Sequence, residues 1–112
     1  MTTKELILAY WQSWQSHENW EETRALMHDD FHFDAGGFVS RNADELIGMM
    51  QSGNPWKDIR LIDCIVEGEK GALFYEGTDS MTGARIRIAE LITVRDGKVI
   101  RCIANIVTLA EV

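Results

Sequence analysis

Among the side chains of this sequence able to do chemistry, one stands out by its neighbours. In RIRIAELITV, Arg85 to Val94, a strand would turn successive side chains to opposite faces. One row is then Ile86, Ile88, Glu90, Ile92 and Val94: four β-branched aliphatics broken by one carboxyl, on the row that alternation assigns to the core. Burial disfavours the charged form of an acid, and a buried carboxyl needs a hydrogen-bond partner. Glu90 is therefore either a proton donor or acceptor at a site, or a structural core glutamate bonded to a tyrosine, a histidine such as His32, or the backbone. Both readings predict a partner. Only the first predicts an open cavity beside it.

The other candidates are weaker. His28 and His32 stand four apart, a metal-pair spacing on a helix, but Asp29, Asp30 and Phe31 break any helix between them, so no metal site is expected. His32 would share a strand face with Asp34. Cys64 and Cys102 lie outside any CxxC or zinc-finger spacing and read as reduced, space-filling thiols of a cytoplasmic protein rather than a disulfide.

The elements that must hold Glu90 follow from periodicity. Leu6, Ile7, Tyr10, Trp11 and Trp14 mark one stripe of a first helix. Asn19 followed by Glu22 signals the start of a second, with Trp20, Thr23, Leu26 and Met27 inward and Asp29-Asp30 at its exit. FHFD, Phe31 to Asp34, is a short strand ended by Gly36-Gly37, with FVS as its partner. Asn42 and Glu45 repeat the capping pattern ahead of Leu46, Ile47, Met49 and Met50, and SGNP stops that third helix.

From Trp56 the period becomes two. Strands are predicted at Asp58–Glu67, Gly71–Met81, Ala84–Arg95 and Lys98–Leu109, and the short connections GEKG, TG and RDGK make them antiparallel hairpins. The pattern predicts one α+β domain over residues 1–112, with three helices covering one face of a curved antiparallel sheet. Both rows of the last strand are apolar, Val99, Ile103 and Val107 on one and Ile100, Cys102 and Ile106 on the other, which predicts a homodimer through the outer sheet face.

Composition narrows the partners. The 112 residues carry a net charge of −7, with 46% hydrophobic and 26% charged residues, an ordinary globular balance without the basic stripe that nucleic acid demands. The start, MTTKELILAYW, lacks the cleavage site of a secretory signal, and no run is long enough to span a membrane. Neither nucleic acid nor membrane is an expected partner.

In WEETRALMHDDFHFDAGG, NADELIGMM and YEGTDSMTGARIRIAELITVRDGKVIRCIANI, nearly the whole chain resembles the nuclear transport factor 2-like superfamily, within it the SnoaL-like and ketosteroid isomerase branches. The resemblance implies a cone-shaped fold, a bent sheet wrapped by helices around a pocket, often dimeric across the outer face. It also implies three catalytic positions: Tyr10 on the first helix, Asp34 as general base, and Glu90 as the protonated acid of an oxyanion hole. A neutral buried carboxylic acid is the known device of that isomerase. The departures are Ala35 and two glycines where the isomerases have proline after the base, and a glutamate in place of their third aspartate.

With Tyr10, Asp34 and Glu90 around one dry cavity, the two acids would share a proton near neutrality. Glu90 would keep it, Asp34 would take a proton from carbon beside a carbonyl, and Tyr10 with Glu90 would hold the enolate oxygen. That chemistry, isomerisation or aldol cyclisation of an apolar carbonyl compound, uses no cofactor, neither metal nor nucleotide. Trp14, His32, Met50, Trp56 and Phe74 are the expected pocket lining. The alternatives are concrete: Asp34 as turn chemistry, Tyr10 and the tryptophans as plain core, and a non-catalytic binding or assembly domain. Epoxide hydrolysis ranks last, since it wants Arg-x-Asp where this chain has Arg-Ile-Arg.

Overall fold

The computed structural model describes residues 1–111. Helix α1 (Thr3–Ser13) begins at a capping box in which Glu5 N–H donates to Thr2 Oγ1 at 3.1 Å and Thr2 N–H to Glu5 Oε1 at 2.9 Å, so two otherwise unpartnered donors are satisfied. Its stripe of Leu6, Ile7, Tyr10 and Trp11 is buried, as is Trp14 just past its end. Asn19 caps α2 (Trp20–Ala25) and Asn42 caps α3 (Ala43–Gly53), each side chain accepting from the glutamate N–H three residues on.

Helix α2 is shorter than the sequence suggests. Leu26 caps it and Met27 already opens β1 (Met27–Asp34), which places Asp29 and Asp30 on a strand rather than at a helix exit. The physical reason is tertiary. Met27 is fully buried in register with Val99, and Arg24 ties the corner, donating at 3.0 Å to the Met27 carbonyl, to Asp29 and to Asp44.

Strand β2 (Val39–Ser40) returns antiparallel to β1. After α3 come β3 (Trp56–Glu67), β4 (Lys70–Asp79), β5 (Arg85–Arg95) and β6 (Lys98–Thr108), close to the predicted bounds. The β5–β6 hairpin turns at Asp96 and Gly97, both with positive φ, 55° and 72°, the conformation a tight two-residue hairpin turn requires. The six strands run in the order β2-β1-β6-β5-β4-β3.

The pairs are antiparallel except one. Strand β1 lies parallel to β6, which is possible because α3 and the four intervening strands supply the long crossover a parallel pair needs. Register shifts in β3 and between β5 and β6 add twist and bend, and the sheet is curved and unclosed. The helices fill its concave side. At Gly71 of β4 an added Cβ would come within 2.5 Å of Ile7 Cδ1, so α1 packs closely there and a larger residue would force the Ile7 side chain to shift.

The predicted inner row of β5 is the observed one: Ile86, Ile88, Glu90, Ile92 and Val94 are all buried. Strand β6 departs from simple alternation. Val94 pairs with Val99 but Thr93 with Arg101, leaving Ile100 as an extra residue that turns Val99 onto the same buried side as Cys102 and Ala104.

Candidate functional site

A hollow of about 340 Å³ lies between the concave sheet and α3. The sheet side is built by the inner rows of β4, β5 and β6: Tyr75, then Ile88 and Glu90, then Ala104 and Ile106. Helix α3 contributes Leu46, Met49 and Met50, and the chain beyond it Asn54, Pro55 and Trp56. Tyr10 and Trp14 close it from α1, while Phe33, Ala35 and Phe38 wall it from β1 and its glycine loop. Among the described residues no Lys, Arg or His lines it.

Among the described residues Glu90 carries the only carboxyl of that lining, and it is 7% exposed. Tyr75 sits opposite Ile88, diagonal to Glu90 on the same face, within reach of a long side chain. Its hydroxyl donates to Glu90 Oε1 at 2.7 Å. Cys102, opposite Ile92 on β6 and fully buried, is the diagonal neighbour on the other side.

Burial pushes the Glu90 acid above its ordinary value and outweighs the hydrogen bonds from Tyr75 and Cys102, which pull the other way. Burial likewise holds the Tyr10 and Tyr75 phenols and the Cys102 thiol well above their usual ranges, with the Glu90 carboxyl adding to each shift. Two phenols, a thiol and an acid whose charged form is disfavoured thus share one buried cluster. The arrangement presents weakly acidic donors to the floor of an apolar hollow.

Of the sequence-predicted residues, Tyr10, Trp14, Met50, Trp56 and Glu90 line the hollow. Asp34, His32 and Phe74 do not. Phe31 is fully buried and Phe33 and Ala35 face the hollow, so the alternation of β1 sets His32 and Asp34 on its other side. The Asp34 carboxylate accepts from Gly36 N–H at 2.8 Å, the turn chemistry that was the alternative. Phe74, 37% exposed, lies on the convex face, because β4 turns Leu73 and Tyr75 inward. The residue the sequence reading missed is Tyr75, and the signal for it was present: once Leu73 is core, parity selects Tyr75 and rejects Phe74.

His28 and His32 both lie on β1 rather than a helix; His28 Nε2 is 3.5 Å from Asp96 Oδ2. Among the described residues no three His, Cys, Asp or Glu side chains gather as metal ligands, and no helix is long and apolar enough to cross a membrane.

A family model described as a SnoaL-like domain matches residues 7–102. No protein of curated function matches the chain by sequence. Among solved structures, the chain is similar to a candidate ketosteroid isomerase from Kribbella flavida, at 19% identity and TM-score 0.85 over 97% of this chain and 80% of that one. It is similar also to a candidate polyketide cyclase from Sinorhizobium meliloti, at 11% identity and TM-score 0.77 over 89% and 93%. An LEH-like epoxide hydrolase of M. tuberculosis matches at 13% identity and TM-score 0.78 over 94% and 82%. At such identities the likeness concerns the fold, the nuclear transport factor 2-like one.

Proposed function

Because the chain belongs to the SnoaL-like domain family, we propose that its hollow binds a compact, largely apolar compound by one carbonyl oxygen and serves proton-transfer chemistry of the isomerase or cyclase kind. The observation that carries this reading is Glu90: a buried acid facing apolar space, bonded to a phenol and with no cation in the lining. Its Oε1 already accepts from Tyr75. In this reading the acid keeps its proton on Oε2 at neutral pH and donates it to the ligand, and Tyr10 supplies the second donor. Two donors aimed at one oxygen favour it most as it gains charge, when the neighbouring carbon gives up a proton to solvent water at the mouth of the hollow.

A second reading, binding without turnover, is favoured by a specific absence. Asp34, the expected base, spends its carboxylate on Gly36, and Glu90 is the one carboxyl left in the lining. The test separates the two. Wild-type protein should be stabilised against heat by neutral apolar ketones, since a ligand of the folded state alone raises stability by mass action. Conversion of a β,γ-unsaturated ketone, followed by ultraviolet absorbance and lost in Tyr10→Phe, supports the catalytic reading. Stabilisation without conversion supports the binding one, and no stabilisation by any such ketone sinks both.

The convex face supports a homodimer as part of the same proposal. Ile65, Phe74, Leu91 and Val107 stand exposed there, and an apolar row of that kind favours a matching partner surface. Phe74→Glu should yield monomers by sedimentation while leaving ketone binding intact. A dimer unmoved by this change would remove the outer face from consideration. The two free thiols, Cys64 and Cys102, support a reducing, cytoplasmic setting.

A further inference from the structure

Resting on that pocket reading, we infer that the hollow selects a neutral, flat compound of one or two rings with a single hydrogen-bond acceptor, and that Ala104 sets the size limit. Volume is the first ground. About 340 Å³ lies at the small end of ligand sites. A site of that size suits a two-ring skeleton better than a four-ring one.

Shape is the second. The space is a slot between sheet and α3, with aromatic pairs at two of its sides: Phe33 and Phe38 with ring centres 6.2 Å apart at 54°, and Trp14 and Tyr75 6.2 Å apart at 49°. Tilted rings suit the edges and faces of another ring. A flexible acyl chain would surrender rotamer freedom there for no better contact.

The third ground is the residue in front of the acid. Glu90 pairs in register with Ala104, whereas the inner positions around them are Ile88, Ile92 and Ile106. A β-branched side chain at 104 would occupy the space before the carboxyl. Alanine leaves it open, so a ligand oxygen can reach Glu90 with its ring lying over Ala104.

Charge completes the selection. With no Lys, Arg or His in the lining, an anionic ligand would lose its hydration and find no counter-charge, a heavy penalty in an apolar site. A neutral carbonyl loses little and gains the Glu90 donor.

The experiment is calorimetric titration of the full chain with four probes: acetylnaphthalene, naphthalene, naphthoate and a four-ring steroid ketone. Acetylnaphthalene should bind at least tenfold more tightly than each of the others, and Ala104→Leu should cost it at least tenfold, each factor of ten being 1.4 kcal/mol. Ile106→Ala, at the exposed mouth, should widen the slot and admit the steroid ketone; it stands in should Ala104→Leu fail to fold by thermal denaturation. Steroid binding to the wild type as tight as acetylnaphthalene overturns the size limit, and naphthoate binding as tight overturns the neutral-acceptor rule. Unchanged affinity in a folded Ala104→Leu overturns the role of Ala104. Binding of none of the four probes overturns the pocket reading itself, a result distinct from any of these.

Discussion

Glu76 on β4 and Glu90 on β5 are equally hidden, each 7% exposed, yet they belong to opposite faces of one sheet and to opposite chemistry. The convex-face Glu76 is ringed by guanidinium groups: Arg60 and Arg87 reach it at 3.3 Å and Arg85 at 3.9 Å. The concave-face Glu90 has a phenol, a thiol and a hollow. Burial alone therefore says little about what a carboxyl does. The arginines are themselves more than half in water or close to it, so Glu76 is covered by charge that stays hydrated. Glu90 is covered by apolar groups, which is what pushes its acid upward.

The contrast can be broken most violently by charge reversal. Glu90→Lys places an unpaired ammonium in the apolar floor and should cost about 3–5 kcal/mol in urea denaturation; a loss under 1 kcal/mol would mean that the floor is wet. Next in size is Tyr75→Phe, which strips Glu90 Oε1 of its donor and should cost about 1–3 kcal/mol. Glu90→Gln should be milder than either, because its amide oxygen still accepts from Tyr75.

A pH series sharpens the same point. The folded-state value of Glu90 lies above its ordinary 4.5, so the folded protein keeps a proton that the unfolded chain gives up. The stabilising contribution is whole below about 4.5 and is lost as pH rises through the raised folded value, at no more than about 1.4 kcal/mol per pH unit. Glu90→Gln should remove that part of the slope; an unchanged slope would deny Glu90 the role. Smallest is Arg87→Ala on the convex side. With two arginines remaining and water at hand, its cost should fall within about 0–1 kcal/mol and shrink further in high salt.

Much of this was legible in the chain. Asn19 and Asn42 announced their helices through a glutamate three residues on, Asp96-Gly97 announced a hairpin, and the Ile-Ile-Glu-Ile-Val row announced a buried acid. The acid has a bonded partner in Tyr75, and the hollow lies beside it. The errors were errors of side. Family position makes Asp34 a pocket base, although Phe31 and Phe33 claim the inward parity of that strand. The sequence reading sets Phe74 among the apolar side chains of the lining, although Leu73 puts the odd positions of β4 inward. Leu26 and Met27 were given to a helix because their apolar period continued into it, and only the pairing of Met27 with Val99 made them otherwise.

What the sequence determined on its own is local: periods of 3.6 and 2, caps, tight turns, and which residues of one strand share a row. These depend on backbone sterics and on neighbours a few positions away. The tertiary structure alone decided that β1 runs parallel to β6, that Ile100 bulges and so brings Val99 inward, that Tyr75 is the partner of Glu90, and that Ala104 lines the hollow opposite Glu90. Each of those depends on register between strands far apart in the chain, and a shift of one residue there exchanges the two faces of everything beyond it.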